Sequence, residues 1–345
     1  MIWNAIRRSN FIIKLRNWEY WPFGIVQFPA IIYWLWLSAR ARSLVFFSAA
    51  NPGIPMGGMF GESKFDILQK IPSEYVPPTI KIEVPVSPDQ VLNRMMVADI
   101  KLPAIFKPDI GERGFMVERI NDKDDIRRYM ESVRGPFLVQ ELVTAAAEFG
   151  VFYMRFPGDN DGRVISVVAK EMLSVTGDGK STLRELIMSN DRAKLQWKKL
   201  KKDFADKLNT ILEEGEKTEL VSIGNHAQGT RFINANHLIN ERLSKTFDNI
   251  GGRIPGFYFG RFDLRCNSLE DLYEGKIKIM ELNGCGAEPA HIYDTEFSLW
   301  SAFYELVRHW DHIFKIAREN NQQGINYVSH KEALAFYRKF KNVVK

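Results

Sequence analysis

The chain has 345 residues, a formal net charge of +5 and two cysteines, Cys266 and Cys285. That length supports one large core or two modest ones. Two well-separated cysteines without metal-ligand spacing argue against a disulfide scaffold and a zinc site, and fit a reducing compartment. The modest positive charge favours an anionic partner without naming it: ATP, a carboxylate, an acidic membrane or RNA.

The amino-terminal stretch is aromatic. Trp3, Trp18, Trp21, Trp34 and Trp36 lie there, and residues 20–39 carry no charge. Such a run reaches the length of a membrane-spanning helix. Pro22 and Pro29 interrupt it, however, and basic residues flank it on both sides (Arg7, Arg8, Lys14 and Arg16; Arg40 and Arg42), so charge bias sets no orientation. Three readings stay open: a segment lying in the anionic inner face of a membrane, a span, or an aromatic segment buried against the protein's own core. The expectation leans to the membrane surface. A signal peptide is disfavoured, because the apolar run starts late and no small-residue cleavage site clearly follows. Residues 51–58 are rich in glycine and proline and read as a linker that closes a first region, 1–60.

Residues 61–68 read as a short amphipathic helix bearing Lys64. A strand over 102–108 ends in Lys107 and leads into a loop with Gly111 and Gly114. Closely spaced glycines let backbone N–H groups fold over phosphate oxygens, and a lysine adds a point charge. Between them, Glu112 is expected to face solvent, where it would not repel a triphosphate, and Arg113 to assist the lysine. Aspartates at 122, 124 and 125 start a helix. Residues 136–143 read as an apolar strand whose end turns polar at Glu141, with Leu142 and Val143 following and Glu148 beyond.

Residues 151–156 and 164–170 alternate as an antiparallel pair. Thr182 and Glu185 make a capping box, and the GxxxxGK[ST] spacing is absent, which excludes a Walker-type site. Ala193, Trp197, Leu200, Phe204, Leu208 and Ile211 recur at helical spacing and predict one long amphipathic helix. Its lysines (198, 199, 201 and 202) read as a solvated face, and no basic groove of the nucleic-acid type is present. Residues 224–231 form a polar loop before a further helix and carry Asn225, His226 and Arg231.

Two strands, 261–265 and 278–284, pair as a hairpin across a loop of turn residues. Arg261, Asp263 and Arg265 share one face. Glu281 and Asn283 share a face, with Met280 and Leu282 opposite. Two carboxylates and an amide oxygen brought together are the hard ligands Mg²⁺ prefers when it also holds a nucleotide's phosphates. The alternative is a half-exposed hairpin whose acids are neutralised by Arg261 and Arg265. A helix over 297–319 places His309 and His312 at the surface, and the last thirty residues read as one more amphipathic helix.

R-x-D, a short loop, then E-x-N-G, preceded by a helix lysine, a strand lysine, a glycine loop and two glutamates, resembles the ATP-grasp ligases over residues 61–295. That family includes D-alanine–D-alanine ligase, glutathione synthetase and cyanophycin synthetase. The run GDGKSTLRELI at 177–187 is similar to one in cyanophycin synthetase and glutamate-type ligases. The resemblance implies an α+β fold of two lobes clasping ATP and Mg²⁺ (one or two ions, or Mn²⁺), at 61–148 and 149–310, with a helical tail at 311–345. It implies Lys64, Lys107, Gly111, Arg113 and Gly114 about the phosphates; Glu141, Leu142 and Val143 at the adenine; Glu148 on the ribose; and Asp263, Glu281 and Asn283 on the metal. Arg261 and Lys107 would neutralise the transferred phosphoryl group. Asn225, His226 and Arg231 are candidates for holding the acid, and His291 for orienting an amine.

The implied reaction phosphorylates a carboxylate and couples it to an amine or thiol, releasing ADP and phosphate. A kinase on the same fold and a non-catalytic nucleotide-binding protein are the competing readings. The family's α/β domain before the nucleotide lobe has no counterpart in residues 1–60, which lack a βαβ pattern. Substrate identity is therefore not carried over. A membrane-surface segment in its place points to a lipid- or envelope-linked precursor and a cytoplasmic protein at the inner face of the membrane.

Overall fold

The computed structural model describes residues 9–111, 114–221, 224 and 226–344, and its architecture is α+β. The first lobe is an antiparallel sheet of β1 (Thr79–Ile82), β2 (Ala104–Pro108), β3 (Glu118–Ile120) and β4 (Phe137–Glu141), ordered β1-β4-β2-β3. Helices Pro88–Val97 and Lys123–Ser132 cover it. The first starts at a Ser87/Gln90 capping box, and the second at Asp122, whose carboxylate accepts from the N–H groups of Asp124 and Asp125. Phe106, Tyr129 and Phe137 stack in the core between them.

The second lobe is built on β5 (Ala147–Met154) and β6 (Arg163–Glu171). A separate two-stranded antiparallel sheet, β7 (Ser174–Thr176) with β8 (Lys217–Glu219), follows. β9 (Arg231–Asn234), β10 (Phe259–Cys266) and β11 (Lys278–Asn283) complete an antiparallel sheet ordered β11-β10-β5-β6-β9. Alternation on β10 is as the sequence predicts. Phe262, Leu264 and Cys266 enter the core with Phe247 and Ile250 of the Glu241–Gly251 helix, leaving Arg261, Asp263 and Arg265 on the other face.

The β10–β11 hairpin forms, with one departure from strict alternation. Asp263 pairs with Glu281, but Leu264 pairs with Ile279, so Met280 is bulged out of the ladder. The bulge puts Ile279 and Leu282 both in the core and turns Met280 into the space between the lobes instead of opposite Glu281. The connecting loop is also more ordered than turn residues suggest: Ser268 caps a helix, Leu269–Glu274, that Gly275 ends with φ of 73°.

Several further expectations change on burial grounds. The long helix expected over 193–211 breaks at Gln196 into Asp191–Leu195 and Trp197–Asp203. Ala193 and Leu200 thereby reach one small core with Leu183 and Ile187, while Ile211 stays exposed. Residues after 230 form β9 rather than a helix, and Phe232 packs against Val168. The turn-rich stretch 51–58 is pinned, not loose. Asn51 is fully buried; its amide donates to the carbonyls of Gly57 and Phe259 and accepts from the N–H groups of Tyr258 and Phe259.

His309 and His312 are not surface residues. The Leu299–Gln322 helix, which runs through residue 310, packs on the large sheet against Phe152 and Phe259, on the same face as Arg261 and Asp263. His309 lies against Phe152 and Phe259, with ring centroids 5.4 and 4.9 Å apart. The final helix is His330–Val344, as expected. At the other end, the Phe28–Ala41 helix packs Ala30 and Leu37 inward, close to the Leu299–Gln322 helix. Among the described residues no helix is long and apolar enough to cross a membrane.

Burial pushes the pKa of His309 down to about 3 and that of His312 to about 4. In the unfolded chain both titrate near 6.5, so below that pH the unfolded state binds more protons. Their contribution to stability is present above pH 6.5 and is lost as pH falls toward 4. The urea midpoint should be lower at pH 5 than at pH 7, and His309→Phe should lose less between the two. An equal loss would show that His309 is not held neutral in the fold.

Candidate active site between the two sheets

A cleft of about 780 Å³ lies where the two sheets face each other. Lys107, Gln140, Glu141, Leu142 and Val143 line it from the first lobe. Glu148, Lys170, Arg261, Asp263, Arg265, Glu281 and Asn283 line it from the second. The hairpin, the strand lysine and the strand end at Glu141, Leu142 and Val143 therefore line one space.

Asp263 is at its centre. Arg261 donates to it from Nε at 3.1 Å and Nη2 at 3.0 Å, Lys170 Nζ stands 3.2 Å away, and Asn283 Nδ2 donates at 3.1 Å. Lys170 also donates to Glu148 Oε1 at 3.1 Å, and Arg265 Nε to Glu148 Oε2 at 2.9 Å. Burial alone would favour the neutral carboxyl of Asp263, but Arg261 and Lys170 outweigh it and hold the pKa at about 2. On Lys170 burial likewise opposes the charge, and Asp263 and Glu148 overcome it and raise the pKa. Gly150 lies across from Asp263 on β5. A Cβ there would sit 2.8 Å from Val168 Cγ1 and 3.1 Å from both Arg261 Cδ and Asp263 Oδ1, so the cluster needs glycine beneath it. Gly224 has the same part behind Glu148, where a Cβ would come within 2.0 Å of Oε1.

Lys107 joins the lobes. Its ammonium donates to Gln140 Oε1 at 3.0 Å and to the carbonyl of Met280 at 2.9 Å, the residue displaced by the β11 bulge. Burial lowers its pKa to about 8, against the partial support of Glu281. Lys64 begins the Lys64–Leu68 helix under a Ser63 cap. It donates to the carbonyl of Gly111 and lies 3.7 Å from Glu281 Oε1. Asp109 fixes that helix to the end of β2, accepting from Ser63 Oγ at 2.8 Å and from the Phe65 N–H at 3.0 Å.

The donor set fits a hard divalent cation. Asp263, Glu281 and Asn283 offer two carboxylates and an amide oxygen on adjacent strands. Asp263 itself is engaged by Arg261, Lys170 and the Asn283 amide. The cations about them (Lys64, Lys107, Lys170 and Arg261) suit a polyphosphate. Glu148 uses both oxygens on Lys170 and Arg265. A carboxylate has about four lone-pair sites, so capacity for a ribose hydroxyl remains. Val143 accepts from Arg265 Nη1 at 3.1 Å, while Glu141 stands exposed at the end of β4. Gly111 and Gly114 line the cleft; Arg113 and Asn225 lie outside the described residues.

Three sequence candidates are placed differently. His226 does reach the cleft, but its Nε2 is 2.8 Å from Glu19 Oε2 and its ring stacks with Tyr20. Arg231 pairs with Glu171 at 3.6 Å at the start of β9, away from the cleft lining. His291 is buried, 2.6 Å from Ser166 Oγ, with burial lowering its pKa to about 4. Its neighbours Ala290 and Tyr293 line the cleft, and His291 itself does not.

Sequence reasoning missed Lys170, although its position opposite Glu148 follows once β5 and β6 are paired in register. It also missed Glu19, Gln140 and Glu288. Glu19 lies on the aromatic segment yet accepts from Arg192 Nη2 at 2.7 Å, which with His226 keeps its carboxyl ionised despite burial. The contact joins residues 173 apart in the chain, which no local pattern reveals.

No family model and no curated protein matches the sequence. Solved structures do resemble the fold. They include a bifunctional glutathione synthetase from Pasteurella multocida, 15% identical over 70% of this chain and 35% of that one, with a TM-score of 0.36. A D-alanine–D-alanine ligase from Bacillus anthracis is 14% identical over 76% of this chain and 69% of that one, with a TM-score of 0.42. Another, from Coxiella burnetii, is 10% identical over 84% and 64%, with a TM-score of 0.41. These are the kinds of ligase that the motif resemblance names. They are likenesses of shape at low identity, and what the cleft does is argued from its own residues.

Lys107 must carry its proton to attract phosphate. With a pKa of about 8 in the free protein, ADP affinity should hold up to that pH and then weaken, by at most about tenfold per pH unit. Lys107→Met should bind more weakly and flatten the profile. A flat wild-type profile from pH 7 to 9.5 would show that this ammonium does not touch the nucleotide.

Proposed function

We propose that the chain is an ATP-grasp ligase that phosphorylates a carboxylate with ATP and couples the acyl-phosphate to an amine or thiol. The observation that carries this reading is the Arg261–Asp263–Lys170 cluster, set beside Glu281 and Asn283 and facing Lys107 across one cleft. Bound Mg²⁺ would neutralise phosphate charge at Asp263, Glu281 and Asn283.

The residues of the chain act by position and charge. Lys107, Lys64 and Arg261 hold and neutralise the phosphoryl group as a substrate carboxylate oxygen attacks phosphorus and the bond to ADP breaks. A carboxylate is ionised at neutral pH, so this step needs no base. The nucleophile then forms a bond to the acyl carbon, the C–O bond to phosphate breaks, and its proton is released. Tyr20, Trp21 and Val26 of the aromatic segment line the same cleft. The substrate, on this reading, is a small or envelope-linked acid with an amine or thiol partner, and the protein works at the cytoplasmic face of a membrane.

Glu281 is the cleaner position for a kinetic test. Asp263 is only 5% exposed, and its loss would leave Arg261 and Lys170 buried without their shared anion, at about 3–5 kcal/mol of stability. Glu281→Gln should lower turnover by about a thousandfold, since about 4 kcal/mol of transition-state stabilisation is at stake, with little change in the unfolding midpoint. Screening acids with ATP and hydroxylamine should yield a hydroxamate, with ADP and phosphate formed in step. Recovery of a stable phosphate monoester would make the chain a kinase. AMP and pyrophosphate would contradict the mechanism.

A further inference from the structure

The aromatic segment has two apolar sides. The Phe28–Ala41 helix buries Ala30 and Leu37 inward, yet Phe28, Ile31, Ile32, Leu35 and Trp36 are exposed. Those positions follow the i, i+3, i+4, i+7, i+8 spacing of a single helical stripe, and that stripe points to solvent. Phe11, Leu15, Phe23 and Ile25 extend the exposed apolar surface along the preceding residues. An exposed apolar stripe along one helix is the kind of surface that marks a docking site.

Charge identifies what it docks on. The only acid in residues 9–44 is Glu19, and its side chain is 5% exposed, turned inward onto Arg192 and His226. Lys14, Arg16, Arg40 and Arg42 are exposed at the two ends of the segment. An apolar stripe whose own segment offers only cations at its exposed ends suits an anionic bilayer, with apolar side chains among the acyl chains and basic ones at the headgroups.

The same segment walls the cleft. Trp21, Phe23 and Val26 line it together with Lys14, and Phe23 is both a lining residue and 50% exposed. We propose that residues 9–44 dock on an anionic bilayer with the cleft mouth at its surface, and that the substrate is an amphiphile whose apolar tail stays in the bilayer while its polar head enters the cleft. The substrate part of this inference rests on the ligase reading; the docking surface does not.

The test uses the full chain and vesicles of phosphatidylglycerol with phosphatidylcholine, against phosphatidylcholine alone. The wild type should co-sediment with the anionic vesicles. Ile32→Glu/Leu35→Glu, at exposed positions that do not line the cleft, should partition more than about tenfold less strongly, since two charges replace two inserted apolar groups. Vesicles doped with a lipid carrying a diazirine at its headgroup should label residues 21–26 of the wild type on irradiation. Equal partitioning of wild type and variant would overturn the docking surface. So would a wild-type dimer in sedimentation velocity that the variant abolishes, because the stripe would then be covered by a second copy. Docking without label at 21–26 would overturn the amphiphile. ADP titration of both proteins separates the two readings: vesicle binding without ADP binding would sink the ligase and leave the surface standing.

Discussion

A carboxylate with almost no access to water, Asp263, lies between two buried cations, and much of the second lobe serves to keep it there. An isolated charge at that depth would be too costly to hold, and Arg261, Lys170 and the Asn283 amide remove the penalty together. Gly150 gives the space, the β5–β6 register delivers Lys170, and Glu148 with Arg265 completes the chain of charge along the sheet. Such a network fixes side chains before any ligand arrives. That preorganisation is what a site working by charge neutralisation requires.

The two lobes are coupled through one irregularity. The bulge at Met280 takes a carbonyl out of the β10–β11 ladder, and Lys107 from the other sheet uses it. Gln140 completes the joint from β4. Lys107 is thus poised between a structural bond and a phosphate, with its pKa already lowered by burial. The amino-terminal segment joins the cleft lining through Glu19, which contacts His226 of the lining and Arg192, so residues far apart in the chain share one wall.

What was legible in the sequence was what period and local spacing encode. The alternation of β10, the Asp263–Glu281 pairing, the Thr182/Glu185 cap and the two lysines at the ends of short elements all follow from residues within a few positions of each other. Reading failed where tertiary packing decides. Period two mistook Met280 because a bulge shifts the face by one. Helical spacing ran on through Gln196 because apolar residues beyond the break belong to the same small core. His309 looked like a surface residue on an amphipathic helix whose buried face proved wide enough to include it. His291 and Arg231 lay in polar loops by composition, yet one is enclosed beside Ser166 and the other paired with Glu171.

The central claim, that the Asp263–Glu281–Asn283 edge and the cations around it form a metal-dependent nucleotide site, is tested most directly by calorimetric titration of ADP with and without Mg²⁺. The wild type should bind ADP more tightly when Mg²⁺ is present. Glu281→Gln should bind ADP with little response to the metal. Equal affinity with and without Mg²⁺ in the wild type, or an undiminished metal response in the variant, would contradict the assignment of this edge.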